Sequence, residues 1–357
     1  MRVLRLTVRI VLIGAFVIFL AACSGDTGPG GPAGATGPAG PQGPAGNAGP
    51  AGAAGNDALL DIMDLSCTEC HDDTTLIVSK AAQLEERSVH GTGEAFERGS
   101  STSCAGCHGH EGASTRIAAG LPPHDVSVEG VTNVSPYNCR TCHDVHMTYT
   151  GADWALTGGA QAVTLEMTGG TFDKGAGNLC ANCHQIRNEL PVAADGLIEV
   201  TSTRFGTHHG VEAAMLLGEG GYGVTGEASP HYNATEDGCV TCHMGESQSH
   251  EFEPALANCQ SCHDGLDTFD RNGVQTDIET LLEEVKALLI QAGIMDADYL
   301  DDGGSLQQNR SVAGTYPEAV AGAMWNYMFV LEDQSHGVHN SAFTEAMLEA
   351  AKAALGG

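Results

Sequence analysis

Six times between residues 67 and 263 the chain sets two cysteines either side of two residues and follows them at once with histidine. The motifs are Cys67-Thr68-Glu69-Cys70-His71, Cys104-Ala105-Gly106-Cys107-His108, Cys139-Arg140-Thr141-Cys142-His143, Cys180-Ala181-Asn182-Cys183-His184, Cys239-Val240-Thr241-Cys242-His243 and Cys259-Gln260-Ser261-Cys262-His263. Each reads as an attachment site for a c-type haem, in which two thiols form thioethers with the vinyl groups and the histidine gives one axial bond to iron. With only 16 histidines in 357 residues, a histidine behind every cysteine pair is not chance. Zinc ribbons use the same cysteine spacing but need no histidine after each pair. Disulfides are the default for paired cysteines in an exported chain, but haem attachment needs the thiols reduced. The expected cofactor load is six covalently bound haem c, with proximal iron ligands His71, His108, His143, His184, His243 and His263.

Twelve of the 13 cysteines lie in the motifs; the other is Cys23. It ends Leu20-Ala21-Ala22-Cys23, behind an apolar run from Ile10 to Leu20 and the positive Arg2, Arg5 and Arg9. The pattern is a secretory signal peptide over residues 1–22. Its end resembles a bacterial lipobox, so residues 23–24 are the expected lipidated N-terminus. Two or three acyl chains on Cys23 anchor stably where one would not, and the apolar run is short for a membrane span. Ser24 in place of Asp favours, by resemblance to bacterial sorting rules, the outer membrane.

The formal charge is −30, and loss of the three signal arginines takes it to about −33. Such a field excludes nucleic acid and anionic head groups as partners and is compatible with cationic partners and metal ions. Aromatic residues are only 5% of the chain, which fits a core filled partly by porphyrin.

From Gly25 to Asp57 glycine occupies every third position for eleven triplets. This is the collagen period, and at a rise of about 3.1 Å per residue it spans roughly 100 Å. The stretch reads either as a trimerising stalk or as a single-stranded, extended Pro/Gly spacer. Residues 58–265 form the expected hexahaem domain, with short helices and long loops around stacked haems, little sheet, and short strands near Ala162–Met167 and Leu197–Thr201. Residues 266–357 read as a C-terminal helical segment, with apolar periodicity over 278–294, 317–331 and 341–355. Ser341 is the expected N-cap of the last helix, and Pro317 suits a first-turn position. The fold class is therefore mainly α and irregular, behind an N-terminal collagen-like stalk.

Ten histidines lie outside the motifs, and six haems with two histidine ligands each need six of them. Neutral imidazole is a good iron ligand. His90, His146, His208, His209, His231, His250 and His339 are the candidate distal ligands. His146, three residues past His143, cannot reach the far face of the same haem but suits a neighbouring one. His208 and His209 serve two haems, or one of them only. His231 and His250 flank motif five. His110 sits in a Gly-rich turn, His124 and His336 read as surface residues, and Met147 and Met244 as packing or surface. No acid, base or nucleophile is singled out as catalytic.

The lipobox, the six motifs and several local phrases resemble outer-surface multihaem c-type cytochromes of metal-reducing bacteria. The phrases are Ser88-Val89-His90-Gly91-Thr92-Gly93, His143 with His146, His208-His209-Gly210 and Cys239-Val240-Thr241-Cys242-His243-Met244. The resemblance implies electron transport at the cell surface toward metal oxides, redox shuttles or partner cytochromes. It implies outer-membrane electron conduits as partners and either a tethered form or a filament. Asp333-Gln334-Ser335-His336-Gly337-Val338-His339-Asn340 is similar to the tail of multihaem nitrite reductases and hydroxylamine oxidoreductases. Those nitrite reductases carry one motif ending in Lys, whereas all six here end in His. The alternative reading is a reductase of nitrite, hydroxylamine or a sulfur oxyanion with one open haem. The intact mass of the purified chain is expected to exceed that of its lipidated polypeptide by six haem groups, with a reducible Soret band. A mass equal to the polypeptide alone removes the basis of this reading.

Overall fold

A single turn of helix carries a cysteine at one position, a second cysteine three residues on and a histidine at the fourth, all on one face. Each of the five described motifs begins in a one-turn helix, over Thr102–Ala105, Cys139–Cys142, Asn178–Ala181, Cys239–His243 and Leu256–Gln260. In motifs two, three, four and six the histidine N–H donates to the carbonyl of the first cysteine at 2.9 Å. The computed structural model describes residues 76–125, 132–158, 161–296, 299–300, 306–307 and 310–357. Motif one (Cys67, Cys70, His71), the signal with Cys23, and the Gly-X-Y stretch lie outside the described residues. All of the described residues belong to one compact unit.

Around the motifs the chain is mostly loop and short helix. Helix α1 (Leu76–Ala82) runs into one π-turn over Gln83–Arg87. Lys80 Nζ donates to the carbonyls of Ser247 and Gln248 at 2.7 Å each, and Arg87 pairs with Glu251 at 2.8 Å. The start of the described chain is thereby tied to the loop after motif five. Helix α2 (His110–Ala118) lies against motif two so closely that a Cβ on Gly112 would come within 2.1 Å of the Ala105 carbonyl oxygen. Helix α3 (Glu212–Leu217) follows motif four in space, with Ala213 N–H donating to the His184 carbonyl at 3.1 Å.

The C-terminal part is a helix trio. Helix α4 (Val274–Gln291) buries Ile278, Leu282, Val285 and Leu289, a stripe at helical spacing. Asp270 fixes its start by accepting from Gln275 N–H and Thr276 Oγ. Helix α5 (Glu318–Asp333) is buried on every side from Ala321 to Val330, as befits a central helix. Helix α6 (Ser341–Ala354) buries Phe343, Thr344, Met347, Leu348 and Ala351. Strands β1 (Leu197–Val200) and β2 (Gly314–Pro317) pair antiparallel, Leu197 opposite Pro317 and Val200 opposite Gly314. A smaller pair joins Val163–Thr164 to Thr171–Phe172. Leu165, Phe172, Ile186, Val211 and Met215 from the motif region belong to the same apolar cluster as Trp325, Phe329, Phe343 and Met347. The helix trio and the motif region therefore share a core. Among the described residues no helix is long and apolar enough to cross a membrane.

The helix bounds refine the sequence reading at two caps. Pro317 is the last residue of β2 and the N-cap of α5, one position before the first turn. Asn340, and not Ser341, is the N-cap of α6. Its Oδ1 accepts from Phe343 N–H at 3.3 Å, while its Nδ2 donates to the carbonyls of Met215 at 3.1 Å and Glu227 at 3.0 Å. Ser at this position is too short to reach α3. Asn340→Ala removes a cap and leaves two buried carbonyls short of a donor, so thermal unfolding should show a loss of about 1–3 kcal/mol.

Candidate haem site

Each described motif histidine faces a second imidazole. The ring centres of His108 and His208 lie 6.4 Å apart, and those of His143 and His250 6.2 Å. His184 faces His90 at 6.0 Å, His243 faces His339 at 6.3 Å, and His263 faces His231 at 5.9 Å. Two trans imidazoles on one metal, with bonds of about 2 Å and a ring radius of about 1.2 Å, have centres about 6.3 Å apart. The five pairs fit a six-coordinate haem iron between them.

The second ring nitrogen of nearly every member is held as well, which orients a ligand and tunes its basicity. His143 Nδ1 donates to the Trp154 carbonyl at 2.8 Å, and His250 Nδ1 to that of Gln248 at 2.9 Å. His243 Nδ1 donates to the Phe252 carbonyl at 2.8 Å, and His231 Nδ1 to that of Val338 at 2.7 Å. His208 Nδ1 lies 3.3 Å from the His209 carbonyl, and His90 Nδ1 3.4 Å from Ser88 Oγ. Two rings have carboxylates instead. His184 Nδ1 meets Glu212 Oε2 at 3.0 Å, and His339 Nδ1 meets Asp333 Oδ1 at 2.7 Å.

These partners leave an electrostatic mark. The Glu212 carboxylate holds the His184 imidazole up at about 10. Burial, and then the field of His184, hold His90 down at about 4. Burial, with Arg187 second, does the same to His208, also at about 4. A ring kept neutral presents a lone pair to a metal. Burial pushes the Cys142 thiol up to about 12.

The motifs also touch one another. Cys239 Sγ of motif five lies 4.0 Å from the Gly177 carbonyl just ahead of motif four, and Cys183 Sγ of motif four lies 3.5 Å from Nη2 of Arg116, which also reaches motif two. Motif four thus stands between motifs two and five. Arg116, only 1% exposed, binds motifs two and four together. Its Nε donates to the Gly106 carbonyl at 2.7 Å and its Nη2 to the Asn182 carbonyl at 2.9 Å. Tyr137 Oη donates to the Cys107 carbonyl and His110 Nδ1 pairs with Thr141 Oγ at 2.9 Å, linking motifs two and three. Asn258 Nδ2 donates to the Cys242 carbonyl at 2.7 Å, linking five and six.

Chain order does not give these pairings. His90, ahead of motif two, faces motif four. His231 and His250 flank motif five but face motifs six and three. His146 stacks on Tyr149 at 5.4 Å, and His209 pairs with Glu332. His124 pairs with Glu166 and His336 with Glu279, each at 2.7 Å. Met147 is 73% exposed, and Met244 is the C-cap of the motif-five helix. Glu212, Asp333 and Arg116 were not picked out from the sequence. Only their spatial neighbours mark them, since nothing in their local patterns differs from ordinary surface charge.

Replacement of one facing ring tests the pairing. His250→Ala should leave the haem mass unchanged, because the thioethers stay, and should turn one low-spin ferric signal in electron paramagnetic resonance (EPR) high-spin. His124→Ala should leave every signal as it was.

No family model and no curated protein matches the chain. Two solved structures do. One is described as the outer cell wall cytochrome OcwA, with 23% identity, 77% of this chain and 48% of that one covered, and a TM-score of 0.45. The other is an undecahaem cytochrome from the S-layer of Carboxydothermus ferrireducens, with 19% identity, 79% and 41% covered, and a TM-score of 0.45. The chain spans less than half the length of either. In its motifs, and in its helical, loop-rich architecture, it is similar to multihaem c-type cytochromes.

Proposed function

We propose that the chain is an exported lipoprotein, anchored through Cys23 at the outer membrane, that carries six haem c groups and conducts electrons at the cell surface. The donor is a cytochrome or an outer-membrane electron conduit, and the acceptor is a metal oxide, a redox shuttle or a partner cytochrome. The observation that carries this reading is the set of five facing imidazole pairs joined by contacts between motifs two and three, two and four, four and five, and five and six. Haem iron supplies one-electron chemistry that needs no acid, base or nucleophile from the protein.

The residues do three things in this reading. The motif turns fix the thiols and one imidazole on a single face. Distant loops bring the second imidazole and hold it through Nδ1. Arg116, Tyr137 and Asn258 set the distance from motif to motif, which electron tunnelling depends on. Between the anchor and this unit lie residues 25–57, whose Gly-X-Y period is that of a trimerising stalk or an extended spacer. The formal charge of −30 suits cationic partners.

The oxidised, fully loaded protein distinguishes a carrier from a reductase. EPR should show low-spin ferric haem alone, unchanged by nitrite or cyanide, and the dithionite-reduced protein should be reoxidised by ferric or manganese oxide. A high-spin signal that shifts with nitrite, together with nitrite turnover, would replace the carrier reading by the reductase one.

A further inference from the structure

Two carboxylates meet ring nitrogens of the facing imidazole pairs, Glu212 at His184 and Asp333 at His339. Glu212 lies in the first turn of α3, and its helix is fixed to motif four by the bond from Ala213 N–H to the His184 carbonyl. The far side of α3 is fixed by Asn340 Nδ2 on the Met215 carbonyl. Glu212 is therefore not a mobile surface acid. Its field reaches His90 and His184 of one pair and His243 and His339 of the next. Asp333, whose side chain is 1% exposed, ends α5 and sits behind His339, with Ser335 Oγ donating to its other oxygen.

Motif three is the contrast. Its His143 and His250 both end on backbone carbonyls, and the Lys80 cation acts on His250. The buried Arg116 guanidinium acts in the opposite sense at motif four, with Nη2 3.5 Å from Cys183 Sγ. It lies on the cysteine side, whereas Glu212 bonds the ligand ring itself.

Resting on the haem ligation proposed above, we infer that Glu212 and Asp333 are positioning residues that set the potentials at motifs four and five, holding both below that at motif three. A carboxylate on Nδ1–H draws the proton toward itself and makes the imidazole a stronger donor to iron. A stronger donor and a nearby negative charge both favour ferric over ferrous iron, so the electron is held less tightly there. One electron enters and one leaves at each iron, with no proton required. Glu212, standing between the two pairs, makes motifs four and five a linked low-potential segment. Electrons then run downhill from it toward motif three.

The test is a redox titration of full-length, haem-loaded protein followed by EPR. Glu212→Gln keeps the size of the side chain and a hydrogen-bond acceptor but removes the charge. It should raise the reduction equilibrium constant about tenfold at the centre whose signal His90→Ala abolishes, an upward shift of about 59 mV for one electron. A smaller rise should appear at the centre that His339→Ala abolishes. Asp333→Asn should shift that second centre alone, and Glu212→Asp should restore most of the wild-type potential. Asp333→Asn serves as the independent variant should Glu212→Gln fail to accumulate. Wild-type titration should place the motif-five centre below the one that His250→Ala alters. Loaded low-spin variants with wild-type titration curves, or a motif-five centre above motif three, would overturn this inference and leave the proposed function standing. A chain without haem would sink the proposed function first.

Discussion

Facing imidazoles drawn from distant stretches of the chain are what the rest of the structure depends on. In four of the five pairs the partners are about a hundred residues apart: 108 with 208, 143 with 250, 90 with 184 and 243 with 339. Closing a loop of that size costs on the order of 4–5 kcal/mol of chain entropy. Ordinary domains recover such costs by burying apolar side chains. Here the large apolar residues concentrate in and beside the helix trio, and the motif region is mostly loop. In the proposed ligation, each iron acts as a cross-link that recovers the closure cost locally. That accounts for a chain with 5% aromatic residues holding long loops in defined places.

The cross-links place demands on the polypeptide around them. A ligand ring needs its second nitrogen held, and the loops supply backbone carbonyls at Trp154, Phe252, Gln248 and Val338. The loop carrying Trp154 is itself shaped by buried Asp153, which accepts from Thr148 N–H and Oγ and from Tyr149 N–H. Such bonds serve as the regular structure of this region, since strand pairing contributes only short ladders. The same economy explains Arg116. A guanidinium with its charge buried is costly unless its donors are met. Carbonyls of motifs two and four and of Leu121 meet them, so one residue fixes two attachment sites together.

What the sequence revealed and what it hid follow from the range of the interactions. Cysteine and histidine within one helical turn are a local pattern, so the attachment sites can be read directly. The helix trio is legible for the same reason, since the stripe Ile278, Leu282, Val285 and Leu289 is periodic. The distal histidines could be nominated by composition, but their partners could not, because pairing is a property of loop closure. His231 and His250 flank motif five along the chain, yet face motifs six and three. The cap of α6 falls at Asn340 and not at Ser341 because tertiary bonds to Met215 and Glu227 decide it. Charged residues such as Glu212 and Arg116 carry no local sign at all. An acid in a helical first turn is ordinary, and only its ring partner distinguishes it.

The segment from Asp333 to Asn340 bears on carrier against enzyme. Its sequence is similar to the tail of multihaem reductases, which by itself suggests catalysis. In this chain Asp333, Ser335, Val338, His339 and Asn340 each have a structural task. Asp333 backs the His339 ring, and His339 faces His243. The Val338 carbonyl accepts from His231, and Asn340 caps α6 while bonding α3. The Ser335 carbonyl accepts from Gln275 on α4. A stretch that presents one distal ring and orients a second has the work of a ligand scaffold. The proposed ligation would account for this segment without catalysis. In the proposed ligation, the imidazole facing each described motif histidine would fill the position a substrate needs, and a reductase would have to draw one ring away.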